Sequence, residues 1–335
     1  MRRFLTALLA LCLLAGCGPQ LDRFPRVETT APTYPAQTLT IDIPLGADQF
    51  TQDGVAQLAA AVLELSGGAV TLEAIPSQNP AAALSNGATH LALLDNRQLL
   101  EADPSMVFLD WPFLLEDAGQ WLTVMGAEDG VVRGSASLEK ALNGEVIGLW
   151  YGGRAVLLCR GNFYEAISFA GASLGVLEDH MDTGFFQGIG EDLGAKILCA
   201  GDPAELMALF DQKEIKYMEL FLDDLDPDAL PEALKYLEDT THRVEGLWLV
   251  LGKDAVDGET ARLLRAAAAS VPQTVWDARA RQEEDLFQAL EDREVEVRHS
   301  GYNSLHRAAR DYFRHNGERL GCTSRTLEEL LALVR

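Results

Sequence analysis

Residues 38–74 read TLTIDIPLGADQFTQDGVAQLAAAVLELSGGAVTLEA, and this stretch decides the fold class. Apolar and polar side chains alternate over 39–43, which predicts a half-buried strand. Over 51–66 the apolar residues recur at every third or fourth position, which predicts an amphipathic helix that ends at a Gly-Gly pair. Alternation resumes over 70–74. Strand, helix and strand in this order predict a βαβ unit with two parallel strands and a right-handed crossover.

The same alternation of strands and helices continues along the rest of the chain. A short Ala-rich helix is predicted at 80–86 and an apolar strand at 90–94. Further strands are predicted at 145–150, 155–159, 196–199, 215–220, 247–251 and 294–297. Further helices are predicted at 203–211, 228–238, 259–271, 276–292, 303–315 and 326–334. This order predicts an α/β protein, built on two sheets.

The composition narrows the class of protein. The chain has 335 residues, and 51 Asp and Glu outnumber 27 Lys and Arg to give a formal net charge of −24. Hydrophobic residues make up 48% of the chain and charged residues 23%, which is typical of a folded globular protein. An acidic surface without a basic stripe repels phosphate backbones, so nucleic acid is excluded as a partner.

The N-terminus has the features of a secretory signal. Arg2 and Arg3 precede an apolar run over residues 4–14, which is too short to span a membrane as a helix. The sequence Leu-Ala-Gly that follows ends at Cys17 and resembles the lipobox of bacterial lipoprotein precursors. This resemblance implies that residues 1–16 are removed and that Cys17 carries the lipid, with acyl chains such as palmitate.

Residues 17–37 contain four prolines without apolar periodicity, which predicts a tether. We therefore expect a domain anchored on the periplasmic side of a bacterial membrane. Cys159, Cys199 and Cys322 remain after processing, and the sequence does not say which two would form a disulfide in an oxidising compartment. No cluster of Cys and His has zinc spacing, so we expect neither a metal nor a cofactor.

One motif is typical of an enzyme. Residues 171–175 read GASLG, which matches the GxSxG pattern of serine hydrolases and makes Ser173 a candidate nucleophile. That pattern requires a strand before the serine and a helix after it, and only a possible strand at 166–169 fits. A serine hydrolase is therefore kept as the weaker alternative.

Six segments carry a resemblance to a known family. In chain order they are Ala61–Val70 (AVLELSGGAV), Asn86-Gly87 with the strand after it, Phe108–Leu115 (FLDWPFLL), Gly148–Arg154 (GLWYGGR), Glu205–Leu209 with Glu214–Glu219, and Thr241–Leu251 (THRVEGLWLVL). Together they resemble the solute-binding proteins of TRAP transporters, the DctP-like family. The resemblance implies a two-lobed periplasmic-binding-protein-like fold (type II-like), with crossing strands and a solute in the cleft between the lobes.

The resemblance also implies a division of the chain. Residues 38–150 with 245–300 would form lobe I, residues 151–244 lobe II, and residues 301–335 C-terminal helices that pack on the lobes.

The chain departs from the family where the family holds its ligand. In the family a strand supplies an arginine that pairs with the carboxylate of the solute. The corresponding stretch here is GASLGV, and Gly175 stands where that arginine is expected. Glycine makes no bidentate pair with a carboxylate. A neutral or cationic solute is therefore as well supported as an acid.

Candidate binding residues follow from the fold that the resemblance implies. In open parallel sheets, ligands bind beyond the carboxyl ends of the strands. Residues at such positions that offer an aromatic ring or a charge are Trp150, Tyr151, Arg154, Phe185, Phe186, Tyr217 and Glu219. Each ring is equally well explained by core packing, and Arg154 by an ion pair with one of the many carboxylates. His242 is interpreted as a structural residue.

The sequence thus predicts a lipid-anchored extracytoplasmic receptor without catalytic activity, which binds a small solute for a TRAP-type uptake system. Its expected partners are the solute, the membrane through the lipid anchor and the permease subunits of the transporter. A periplasmic interaction or sensory module on the same scaffold is the main alternative.

Overall fold

The computed structural model describes residues 33–178, 192–299 and 301–333. Cys17 and its signal, most of the predicted tether and the candidates Phe185 and Phe186 lie outside these residues. The chain separates into the units Met1–Thr33 and Tyr34–Arg335, and the second unit carries the fold described below.

The predicted βαβ unit is present. Strand β1 spans Gln37–Pro44, helix α1 spans Gln49–Leu65 and strand β2 spans Val70–Ser77. The two strands pair in parallel, as predicted. Helix α1 begins where the Asp48 carboxylate accepts a hydrogen bond from the backbone N–H of Thr51, which satisfies one of the free amides of the first turn.

The remaining elements follow in the order of the chain. The helices are α2 (Pro80–Ser85), α3 (Asn96–Ala102), α4 (Ala118–Met125), α5 (Ala136–Leu142), α6 (Pro203–Asp211), α7 (Gly258–Ala268), α8 (Pro272–Glu291), α9 (Asn303–Asn316) and α10 (Ser324–Leu333). The strands are β3 (Leu91–Leu94), β4 (Gly144–Cys159), β5 (Ser173–Leu177), β6 (Lys196–Ala200), β7 (Tyr217–Phe221), β8 (Tyr236–Glu238), β9 (Val244–Gly252) and β10 (Glu296–Arg298). Short 3₁₀ helices occupy Pro104–Asp110, Glu165–Phe169, Leu222–Asp224 and Pro227–Ala229.

The ten strands within the described residues form one connected sheet rather than the two that were predicted. Its order is β2-β1-β3-β9-β4-β7-β5-β6, and β8 pairs with β4 and β10. Strand β4 joins the two halves, because residues 144–154 pair with β9 while residues 155–159 pair with β7.

The two strands predicted at 145–150 and 155–159 are therefore parts of β4. The Gly152-Gly153 pair between them interrupts the apolar pattern and shifts the register, but the pairing with β9 continues across it.

The helix predicted at 228–238 is wrong. Pro227–Ala229 forms a single 3₁₀ turn and Tyr236–Glu238 forms β8, in which Leu237 is fully buried opposite Leu158 of β4. Pro231 lies inside the predicted segment, and a proline in a helix interior removes a hydrogen bond and clashes with the preceding turn. Tertiary pairing thus overrides the apolar spacing.

Both faces of the sheet are buried. In β3, Leu91 and Leu93 belong to a core cluster with α1, α7 and α8, whereas Ala92 and Leu94 belong to a second cluster on the opposite face. A third cluster surrounds β7, α6 and the end of α8. This packing fixes the ends of the strands, and those ends form the cavity described below.

Three properties of the described residues bear on the sequence predictions. Cys159, Cys199 and Cys322 are free thiols, so no disulfide links the cysteines that the structure describes. No described group of His, Cys, Asp and Glu has the arrangement of a metal site. Among the described helices, none combines the length and the hydropathy that a membrane span requires.

Candidate functional site

A cavity of about 480 Å³ lies at the carboxyl ends of several strands. Its wall is formed by the segments after β1, β3 and β7, the start of β9, and Gly152 in the middle of β4. A larger groove, of about 610 Å³, lies at the other end of the sheet, where Gly144 begins β4 and Gly252 ends β9. The carboxyl ends of strands are the usual ligand sites of open α/β sheets, so the first cavity is the candidate site.

Arg279 of α8 forms one side of the cavity. Its guanidinium bonds to Asp48, the residue that caps α1, and to Asp223, which follows β7. The side chain of Arg279 is only 3% exposed and packs over the ring of Phe50, with 5.1 Å between the guanidinium carbon and the ring centroid. Arg279 therefore ties α1, α8 and the end of β7 together at the cavity wall.

Arg243 forms a second buried network, immediately before β9. Its guanidinium bonds to Asp110, and its Nη1 lies 3.1 Å from Oε1 of Glu219. Glu219 is fully buried on β7 and is also 3.2 Å from Nε2 of His242, whose other ring nitrogen lies 2.5 Å from the hydroxyl of Thr240. His242 is thus an interior residue, and the network positions Arg243.

Two further carboxylates meet where α3 begins. The Asp95 carboxylate caps α3 by accepting a hydrogen bond from the backbone N–H of Gln98, at 2.7 Å. Oε1 of Glu245, on β9, accepts a hydrogen bond from the backbone N–H of the next residue, Asn96, also at 2.7 Å. Burial, reinforced by the charge of Asp95, raises the pKa of Glu245 to about 8. Burial also raises the pKa of Asp95.

The rest of the wall is apolar. Leu100 of α3, Met106 and Leu109 of the 3₁₀ helix and Leu247 of β9 line the cavity together. A ligand here would meet charged groups on some sides and aliphatic side chains on the others, which is typical of small-molecule sites.

The described candidates from the sequence do not line this cavity. Trp150 is fully buried in the core beside Gly54, on which an added Cβ would lie 3.0 Å from the indole. The hydroxyl of Tyr151 donates to Glu283 at 2.6 Å, and Arg154 forms ion pairs with Glu283 and Asp239. These three side chains are held in interior contacts.

The other two described candidates are also interior. Tyr217 is buried among aromatic rings and its hydroxyl donates to the backbone carbonyl of Asn162. Glu219 is fully buried and bonds to Arg243, which lines the cavity. Ligand contact at any of the seven predicted positions stays a prediction, and the structure favours the cavity residues instead.

The serine hydrolase alternative lacks its structural context. Residues 165–169 form a 3₁₀ helix rather than a strand, and Ser173 begins β5 rather than standing between a strand and a helix. The predicted nucleophile turn is therefore wrong.

Gly175 lies in the middle of β5, under α6. An added Cβ would come within 2.4 Å of Ile215 and 2.6 Å of Leu206, so the core has no room for an arginine at this position. Strand β5 reads SLGVL and carries no cation. The arginines of the cavity come from α3, from α8 and from the residue immediately before β9 instead.

The sequence contained some signal for the residues that were missed. Asp48 and Asp95 each follow a predicted strand and precede a helix, which places them at carboxyl ends. Arg279 had no such signal, because it lies in the middle of a long helix that only tertiary packing brings to the cavity.

The fold can be compared with known proteins. No protein-family model matches the sequence, and no curated protein matches it. Among solved structures, a TRAP periplasmic solute-binding protein from Rhodobacter sphaeroides, in an apo open form, matches with a TM-score of 0.76 and 16% identity, over 89% of this chain and 99% of its own. The chain has the fold of the TRAP periplasmic solute-binding proteins. The predicted two-lobed α/β fold class is confirmed.

Two other structures of this class agree. A TRAP solute-binding protein from Ochrobactrum anthropi, with its C-terminus bound in the ligand-binding pocket, matches with a TM-score of 0.74 and 17% identity, over 90% of this chain and 95% of its own. The sugar acid binding protein DctPAm from Advenella mimigardefordensis, in complex with galactonate, matches with a TM-score of 0.64 and 18% identity, over 90% of this chain and 98% of its own.

Proposed function

We propose that this protein is the extracytoplasmic solute-binding receptor of a TRAP-type uptake system. The cavity at the carboxyl ends of β1, β3 and β7 carries this proposal. It has the volume of a small-molecule site, and it combines fixed charged groups with an apolar wall. The similarity in fold to TRAP solute-binding proteins supports the same role.

The proposal includes an anchor and a partner. Cys17 would carry the lipid and hold the receptor on the periplasmic side of the membrane, and permease subunits would accept the loaded receptor. The lobe boundaries at residues 150 and 244 remain part of the proposal. No catalytic step is required, since receptor function needs only binding and release.

A ligand screen tests the receptor function. We expect at least one small solute from a panel of sugar acids, sugars, amines and amino acids to raise the melting temperature, because a ligand that binds only the folded state stabilises it. Mass spectrometry of solutes that copurify with the protein provides an independent measurement.

A matched pair of variants ties any binding to the cavity. Leu100→Trp places an indole in the cavity wall, whereas Leu65→Trp places it at a half-exposed position at the end of α1. We expect the first variant to lose the ligand-induced shift and the second to keep it. A shift that persists in Leu100→Trp would contradict this site, and a panel without any binding would contradict the receptor function.

A further inference from the structure

The wall of the cavity has an excess of negative charge. Within the described residues it carries six carboxylates against three guanidinium groups. The carboxylates are Asp48, Asp95, Asp110, Asp223, Asp224 and Glu245, and the guanidinium groups are Arg97, Arg243 and Arg279. The protein as a whole has a net charge of −24, so the field of the molecule adds to that of the wall.

The two buried arginines are already neutralised. Nη1 and Nη2 of Arg279 bond to different carboxylates, Asp223 and Asp48, and those of Arg243 bond to Glu219 and Asp110. A carboxylate of a solute binds arginine best as a parallel pair of hydrogen bonds. Here it would have to approach a guanidinium that stands between two carboxylates, and like charges would repel it.

Asp95 and Glu245 differ from the carboxylates that hold these arginines. Backbone amides are their hydrogen-bond donors, and within the described residues neither forms an ion pair with an arginine or a lysine. The two groups stand at one point of the wall, because Glu245 bonds to the amide directly after Asp95. Two adjacent acidic groups repel each other when both are ionised, and a positive charge between them would offset this repulsion.

The apolar part of the wall adjoins these two groups. Leu247 is two residues from Glu245 along β9, so these two side chains lie on the same face of the strand. Leu100 lies on α3, the helix that Asp95 caps, and also lines the cavity. Met106 and Leu109 extend the apolar surface. The cavity therefore suits a molecule with a positive head and a short aliphatic body.

We propose that the solute is a small organic cation, with its ammonium group between Asp95 and Glu245 and its aliphatic part against Leu100, Met106 and Leu247. The inference rests on the proposed receptor function and names its substrate class. It differs from the sugar acid that the Advenella protein binds. The absence of an arginine from β5 agrees with this difference.

Isothermal titration calorimetry with isosteric probes tests the substrate class on the unaltered protein. The probes are n-pentylamine, 1-pentanol and pentanoate, together with 1,5-diaminopentane and galactonate, at about pH 9, where Glu245 is ionised and the amines keep their charge. We expect the amines to bind at least about thirtyfold more tightly than pentanoate or galactonate, from charge complementarity.

Two variants test whether the carboxylates of Asp95 and Glu245 bind the ammonium group of the solute. Asp95→Asn keeps an oxygen that caps α3, and Glu245→Gln keeps the shape of its side chain. We expect each to weaken amine binding by about tenfold or more. Glu64→Gln removes the same charge from an exposed position on α1 and is expected to leave binding unchanged.

The pH dependence gives a second readout. Amine affinity is expected to rise from about pH 6 to about pH 9, as Glu245 loses its proton, and Glu245→Gln is expected to remove most of this rise. Several charged groups face Glu245 or line the same wall, and their charges contribute to the electrostatic field at Glu245. They are Asp95, Asp110, Arg97 and Arg243, with Asp48, Asp223, Asp224 and Arg279 further round the cavity.

The outcomes separate the two proposals. Binding of galactonate or pentanoate in preference to the amines would overturn the cation inference and leave the receptor function standing. Amine binding that is unchanged in both Asp95→Asn and Glu245→Gln would also overturn it. A protein that binds none of the probes and none of the wider panel contradicts the receptor function, and the inference with it.

Discussion

At the scale of single residues, the central feature is the buried network around Arg243. Glu219 has no exposed surface and bonds to Arg243 and His242, while Arg243 also bonds to Asp110 at the cavity. A buried carboxylate that loses its cation keeps the cost of desolvation without the compensating attraction. The network therefore holds the cavity wall in place.

The variant Arg243→Ala tests this dependence. We expect it to lower the free energy of unfolding by about 3–5 kcal/mol, because Glu219 and Asp110 both lose the guanidinium that bonds to them. Urea unfolding followed by circular dichroism measures the change. Arg262→Ala is the control, since Arg262 is largely exposed and forms its ion pair with Glu259 on the same helix, and it should change stability little. Equal effects of the two variants would contradict the structural role of Arg243.

Glu245 gives the stability a distinctive pH dependence. Its pKa is raised to about 8 from an ordinary value of 4.5, mainly by burial, so the folded state retains a proton that the unfolded state releases. The stabilisation is present below the unfolded pKa and is lost as the pH rises through about 8. We expect the wild type to lose stability relative to Glu245→Gln between about pH 5 and about pH 9.

The measurement is the difference in unfolding free energy between wild type and Glu245→Gln at a series of pH values. Glu64→Gln, at an exposed position, is expected to show no such trend. A difference that stays constant across this range would show that the Glu245 carboxyl titrates normally.

At the scale of elements, β4 and β5 differ from what the sequence predicted. Strand β4 runs through the Gly152-Gly153 pair and joins both halves of the sheet, and Gly153 has a φ of +127° that side chains rarely adopt. Strand β5 is packed so closely against α6 that Gly175 has no space for a Cβ. The glycine that replaces the expected arginine is thus required by packing.

Gly175→Ala tests this packing. The added methyl group would clash with Ile215 and Leu206, and we expect a loss of about 1–3 kcal/mol in the free energy of unfolding, as for other overpacked cores. Gly161→Ala is the control, because no atom lies within 4 Å of its added Cβ. Chemical denaturation of both variants measures the effect, and a neutral Gly175→Ala would mean that α6 shifts freely.

At the scale of the whole molecule, the net charge of −24 and the acidic cavity agree in sign. Such a molecule attracts cations over a distance set by the ionic strength, and it gives an anionic solute no electrostatic advantage. The negative charge that excludes nucleic acid as a partner therefore also favours a cationic solute over an anionic one.

The proposed lipid anchor would also act at the scale of the whole molecule. We expect Cys17→Ser to abolish labelling by radioactive palmitate and to move the protein from the membrane fraction to the soluble fraction, because under the proposal the acylated Cys17 provides the attachment. Cys12→Ser changes a cysteine within the predicted signal and is expected to keep both properties. A membrane-bound Cys17→Ser protein would contradict the lipobox interpretation.

The sequence by itself determined the α/β class, the βαβ unit at residues 38–74 and most helix positions. These features depend on the spacing of apolar residues and on glycines that end helices, and both are local properties of the chain. The sequence also identified the departure at Gly175. Only the tertiary structure decided that β4 is one strand, that residues 236–238 pair as a strand, and which side chains line the cavity. The physical reason is that Asp48, Asp95, Arg243 and Arg279 are far apart in sequence and are brought together only by the packing of strands and helices.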